Sequence, residues 1–178
     1  MNDSKGIVPP APAKVDGLNV AKLYRIGARN FTHVNLKNVV LTGCKLEGIN
    51  LAFTDLRNSR LDLADLSHSI LSGVKLEGAS LGFSNLANTD LNGADLRGAN
   101  LAGSDLSHAD LNGADLSGAN LRGANLEGTS LILANLDGAD LSGACLDDAN
   151  LSFARFTKAD LDEASMENVE VFNTIICD

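Results

Sequence analysis

The 178-residue chain has no tryptophan, one tyrosine and six phenylalanines, so no core built around large rings is expected. Its three prolines, Pro9, Pro10 and Pro12, all precede Ala13, and nothing after them needs a proline-imposed break. Three cysteines do not suggest a disulfide framework. Nowhere does an apolar run approach the ~18 residues of a membrane-spanning helix. Met1 to Lys14 lacks the apolar centre of a secretory signal, so a cytoplasmic location is expected. Positive charge is scarce: 14 Lys and Arg stand against 23 Asp and Glu, a net charge of −9. Direct nucleic-acid binding, which rests on basic side chains, is therefore not expected.

What the chain does have is a beat of five. Every position ending in 1 or 6 from Phe31 to Ile176 is a large apolar residue, and twenty-five of these thirty centres are Leu. Two residues before each centre the side chain is compact, with Ala at fifteen of twenty-nine positions. A period of five matches neither the helix at 3.6 nor the strand at 2.0, so the chain must turn every five residues. Two residues after the centre, Gly fills thirteen of thirty positions and Asn, His or Asp another ten, types that tolerate the positive φ of a type II turn. Four such corners close a twenty-residue coil. About seven and a half coils at strand spacing make a rod of roughly 36 Å.

Runs such as Ala94-Asp95-Leu96-Arg97-Gly98, Ala99-Asn100-Leu101-Ala102-Gly103 and Ala139-Asp140-Leu141-Ser142-Gly143 resemble the A(D/N)LxG unit of the pentapeptide repeat family. The resemblance implies an all-β solenoid, a right-handed quadrilateral β-helix, over residues 28–178. Residues 1–15 read as a disordered, proline-containing tail. Residues 16–27 read as a short capping α-helix, with Asp16 as its N-cap, Leu18, Ala21, Leu23 and Tyr24 toward one side and Gly27 as its stop. The junction Ala28-Arg29-Asn30-Phe31 is similar to that of cyanobacterial members linked to heterocyst differentiation.

Little chemistry survives this reading. His33, His68 and His108 all occupy the corner position, which explains them. No Ser or Cys is marked out as a nucleophile, and the glycines follow the beat. Flat columns of carboxylates do not converge on a metal. No catalytic residue, cofactor site or metal site is expected, and the chain is not read as an enzyme. Cys44 and Cys145 would lie about five coils apart, beyond the ~7 Å reach of a disulfide.

The departures from the beat are the candidate sites. Bulky residues stand where a corner wants Gly: Phe53, Leu63, Phe83, Leu133 and Phe153. Phe53, Phe83, Ile132, Leu133 and Phe153 make up a candidate partner surface, with Ile70 and Phe172 on the same face as Phe53. The alternative is that bulky corners choose a different turn type and cover their own edges. Val171, Phe172, Ile175 and Ile176 make the last coil apolar, a candidate end for homodimerisation, against the alternative of a frayed monomer. On the face carrying Glu47, Asp65, Asp105, Glu127, Asp147, Asp148 and Glu167 against Lys45, seven acids and one base leave −6. Another face alternates sign, with Asp55, Lys75 and Asp95 in one column and Arg57, Glu77 and Arg97 in the next.

Three functions fit these features. One is a non-catalytic interaction or regulatory scaffold module that binds an unidentified protein through a face or an end. A second is an acidic DNA mimic that binds gyrase or topoisomerase, as resemblance to the quinolone-resistance members implies. Duplex DNA would carry roughly twenty charges over such a length, against −6 on the strongest face. The third is a structural spacer in a larger assembly.

Overall fold

The computed structural model describes residues 16–176. The proposed tail of residues 1–15 and the chain's last two residues lie outside them. At all twenty-nine described corner positions, from His33 to Asn173, φ is positive. Thirteen are Gly and sixteen are not. Twenty-five of the twenty-nine turns close with a hydrogen bond from the compact residue to the carbonyl of the centre, as from Thr54 N to Leu51 O at 3.1 Å. Positive φ at the third residue and this closing bond are the signature of a type II turn.

Coils stack in strict register. Parallel bridges join residues twenty apart, beginning at Asn30 with Asn50 and ending at Arg155 with Ile175. Within one unit the centre and the corner donate to the next coil, as Leu56 N does to Lys75 O at 2.8 Å and Asn58 N to Glu77 O at 3.0 Å. The residue before a centre donates backward, as Arg60 N does to Val39 O at 2.8 Å. Four of every five amides are therefore satisfied by backbone carbonyls.

The fifth amide, one residue after the centre, is satisfied by a side chain in twenty-two of the twenty-nine described units. Eighteen positions immediately before a centre are Asn or Asp, and every one accepts a hydrogen bond from the amide two residues on. This Asx turn supplies an acceptor where the backbone carbonyls supply none. Before Leu81, Leu131, Phe156 and Met166 the residue is Ser or Arg instead. There Asp62, Asn112, Asp137 and Asp147 reach across from the preceding coil to the same amide.

The core is a column of Leu, buried from Leu36 to Leu151, with Phe31 and Phe156 at its two ends. Helix α1 (Gly17–Arg25) lies on the first coil, its N-terminus capped by the Asp16 carboxylate accepting from Asn19 N at 2.9 Å. Val20 is the side chain it buries completely, while Ala21, Leu23 and Tyr24 are half-buried. Val20 stands outside the set of residues expected on the covering face, and the side chain of Leu18, one of that set, lies outside the described residues. The Tyr24 hydroxyl donates to the Glu47 carbonyl at 2.7 Å, and Gly27 at φ +102° turns the chain into the first coil.

Candidate functional site

The bulky corners do not choose a different turn. Phe53, Leu63, Phe83, Leu133 and Phe153 have φ between 55° and 62°, the same left-handed backbone that Gly supplies elsewhere. For an L-residue this conformation costs roughly 1–2 kcal/mol. No Val, Ile or Thr occurs among the sixteen non-glycine corners, as expected where a branched Cβ would be worse still. Each bulky corner thus spends stability that a glycine would have kept, yet the residue stays exposed, by 66% for Leu133 and 70% for Phe83 and by a lesser 43% for Phe153.

Two of these corners shield their own column. The Phe53 ring stacks on His33 at 5.2 Å between centroids and covers the Gly73 corner one coil on. Phe83 follows Leu63 in its column and covers Gly103 in the same way. Self-covering, one half of the alternative reading, therefore holds for these two residues.

The five candidate surface residues do not form one patch. Phe83 belongs to the opposite side of the coil from the rest, because its unit is thirty residues, one and a half turns, from that of Phe53. Phe53 shares a side with Leu133 but lies four coils away, roughly 19 Å at strand spacing. Leu133 and Phe153 are successive members of one corner column, with half-buried Ile132 beside Leu133. Phe153 meets Phe172 edge to face at 5.3 Å, which extends this apolar corner toward the last coil. Ile70 is exposed but separate from it.

In the last described coil Val171, Phe172, Ile175 and Ile176 are all exposed, and the centres Leu161 and Met166 are only partly buried. The backbone N–H groups of Leu161, Glu163, Met166, Asn168, Val171 and Asn173 have no backbone acceptor among the described residues. This end therefore combines apolar side chains with a regular row of donors that lack a backbone acceptor among the described residues.

The acidic residues behave differently from a simple charged face. The column of Asp55, Lys75 and Asp95 is real, but the two bidentate ion pairs lie within a unit, while Arg155 reaches to the preceding coil for Asp137 at 2.6 Å. Arg57 grips Asp55 through two bonds of 2.9 and 2.7 Å, and Arg97 grips Asp95 through two of 2.7 and 2.8 Å. Arg97 reaches Glu77 at a looser 3.6 Å. Donation from Arg57 holds the Asp55 carboxyl down at about 2, below its ordinary 3.8. Arg97 lowers Asp95 by the same means, and hydroxyl donation from Ser142 and Ser165 lowers Asp140 and Asp147. The Asx role was missed from sequence, although the free interchange of Asn and Asp before the centre was its signal: the position asks for an oxygen, not a charge.

Among the described residues no cluster of His, Cys, Asp and Glu is placed to hold a metal ion, and no helix is long and apolar enough to cross a membrane.

A single coil of twenty residues, stacked by parallel bridges around a Leu column, defines a β-helical solenoid. The Pentapeptide repeats family pattern matches in eight copies over residues 35–73, 44–82, 79–118, 114–152 and 134–170, and the chain belongs to that family. It is similar in structure to HetL, a pentapeptide repeat protein involved in heterocyst differentiation regulation in the cyanobacterium Nostoc sp. strain PCC 7120. Identity is 30%, coverage 92% of this chain and 94% of HetL, and the TM-score 0.50. Trypsin-treated QnrB1, a plasmid-mediated fluoroquinolone resistance protein, aligns at 17% identity over 81% of this chain and 91% of its own, with a TM-score of 0.58. That likeness shows the fold alone. Family and neighbours imply the right-handed quadrilateral coil read from sequence. A sequence comparison with curated proteins gives no match.

Proposed function

We propose that this protein is a non-catalytic interaction module of a regulatory kind, and that its partner docks on the corner formed by Leu133 and Phe153 with Ile132 and Phe172 beside it. The observation that carries this reading is the left-handed backbone at Leu133 and Phe153. Strain kept at exposed side chains that do not serve the core points to use at that place. Phe53 and Phe83 have a competing explanation, since their rings cover the next coil. Likeness to HetL, a regulatory protein, supports the regulatory class.

The DNA-mimic reading is weaker on physical grounds. Asp65 and Asp105, on the −6 face, each bind an amide of their own coil and are half-buried. Carboxylates turned inward in this way present less charge to a DNA-binding protein. The apolar last coil supports a second contact, with another copy of the chain, through Val171, Phe172, Ile175 and Ile176.

Pull-down from the native cell with the wild-type protein beside Leu133→Asp/Phe153→Asp tests the corner. Loss of one or more partners is expected, and an unchanged partner list would defeat the proposal. A gyrase supercoiling assay with neither inhibition nor protection removes the DNA mimic. Light scattering at high concentration tests the end contact, and a monomer there sinks it.

A further inference from the structure

Helix α1 and the first coil flank an open recess of about 530 Å³, bordered by Tyr24, Arg25 and Arg29 on one side and Gly43, Cys44 and Lys45 on the other. Three cations border it and no carboxylate does, in a chain whose net charge is −9. Of the five arginines elsewhere, Arg57, Arg97, Arg122 and Arg155 each hold a carboxylate, while Arg60 pairs with none among the described residues. Arg25, Arg29 and Lys45 have no such partner among the described residues. Asp65 bridges to Lys45 through the backbone one coil on, and Glu47 follows Lys45 by two residues, yet neither carboxylate pairs with it.

Arg29 is also held in place. Its guanidinium carbon sits 3.8 Å from the centre of the Tyr24 ring, and its Nη1 donates to the carbonyls of Tyr24 and Ala28 at 2.9 and 3.0 Å. The other edge of that fork has no acceptor in the described protein, and a fixed, planar, unspent guanidinium matches an oxyanion. We propose that the recess binds a small molecule carrying two or more linked phosphates. Charge sets the class: three cations around one cavity exceed what a single carboxylate neutralises. Size agrees, since the volume falls in the ~300–1,000 Å³ range of small-ligand sites and leaves room well beyond one phosphate. Arg29 and Arg25 would grip phosphate oxygens, Lys45 would contribute a point charge from the coil, and the ligand would join helix to solenoid.

The chain supplies its own reporter, because Tyr24 is its one tyrosine and there is no tryptophan. Pyrophosphate and tripolyphosphate are titrated into the full-length protein at low salt, followed by tyrosine fluorescence and independently by calorimetry. Saturable one-to-one binding is expected. Arg25→Gln/Lys45→Gln, both exposed and outside the core, weakens it at least about tenfold with an unchanged melting curve. Arg122→Gln, far along the rod, leaves it unaltered. Absence of saturable binding by both readouts, or equal affinity in the double variant, overturns the site. Citrate binding as tightly as tripolyphosphate overturns the phosphate assignment.

Discussion

The Phe53 ring fills the space that a side chain on Gly73 would need: a Cβ built there falls 2.6 Å from the ring's Cδ1. Gly73 is therefore required twice, by its φ of +61° and by its neighbour. Gly93, at φ +63° with nothing near its would-be Cβ, is required only once. Gly93→Ala is expected to cost about 1–2 kcal/mol, and Gly73→Ala a further ~1–3 kcal/mol from overpacking. Denaturant titration of the two variants measures the difference, and in a Phe53→Gly background the cost of Gly73→Ala should return to the Gly93 level.

Leu133→Gly separates stability from binding. It relieves the left-handed strain and removes a side chain that is already 66% exposed. After the added freedom of glycine in the unfolded chain, a gain of up to about 1 kcal/mol is expected. If the corner is the docking site, the same variant loses its partner, and melting curves measured beside pull-downs show both effects at once.

Buried hydroxyls in the compact slot give a matched pair. Thr54 Oγ1 donates to the Phe31 carbonyl at 2.8 Å, whereas Ser59 Oγ, equally buried, has no partner. Ser59→Ala should stabilise by about 1 kcal/mol, because it removes an unsatisfied group where Ala is the common occupant. Thr54→Ala should destabilise by a similar ~1 kcal/mol, since the carbonyl then loses its donor. Opposite signs in thermal melts are the check.

Acid should loosen the rod in a defined window. Asp55 is lowered to about 2 in the fold from 3.8, and Asp95, Asp140 and Asp147 are lowered too. A depressed folded value means that the unfolded chain takes up protons first as pH falls. The stabilisation is thus complete above pH 4 and is lost progressively toward pH 2. Denaturation midpoints across that range should fall, and Asp55→Asn should flatten part of the slope.

How much of this was legible depended on whether a residue acts through the repeat or against it. Leu36 to Leu151 announce the core because each recurs at the same phase, and Gly27 and Asp16 mark the helix ends through local chemistry. Val20 was overlooked because a nine-residue helix leaves little periodicity to separate the buried side from the wet one. The turn type at Phe53 and Leu133 was ambiguous, since intrinsic preference argues against positive φ there. Ladder bonds on both sides, such as Leu133 N to Ser152 O at 3.0 Å, leave the corner no other geometry. Cooperation between coils overrides the single residue. The recess at Arg25, Arg29 and Lys45 joins a helix to a coil and has no signature along the chain.

The oxygen that most units borrow from Asn or Asp makes the two residues interchangeable to the backbone, as at Asn100 and Asp105. Only the electric field outside can tell them apart. The molecule is in effect a ruler whose markings can be charged or left neutral one by one, at fixed spacing, without touching the wood. Selection could repaint the potential of any side of this rod while its shape stays still, and a partner that reads charge would see a new protein on an old scaffold.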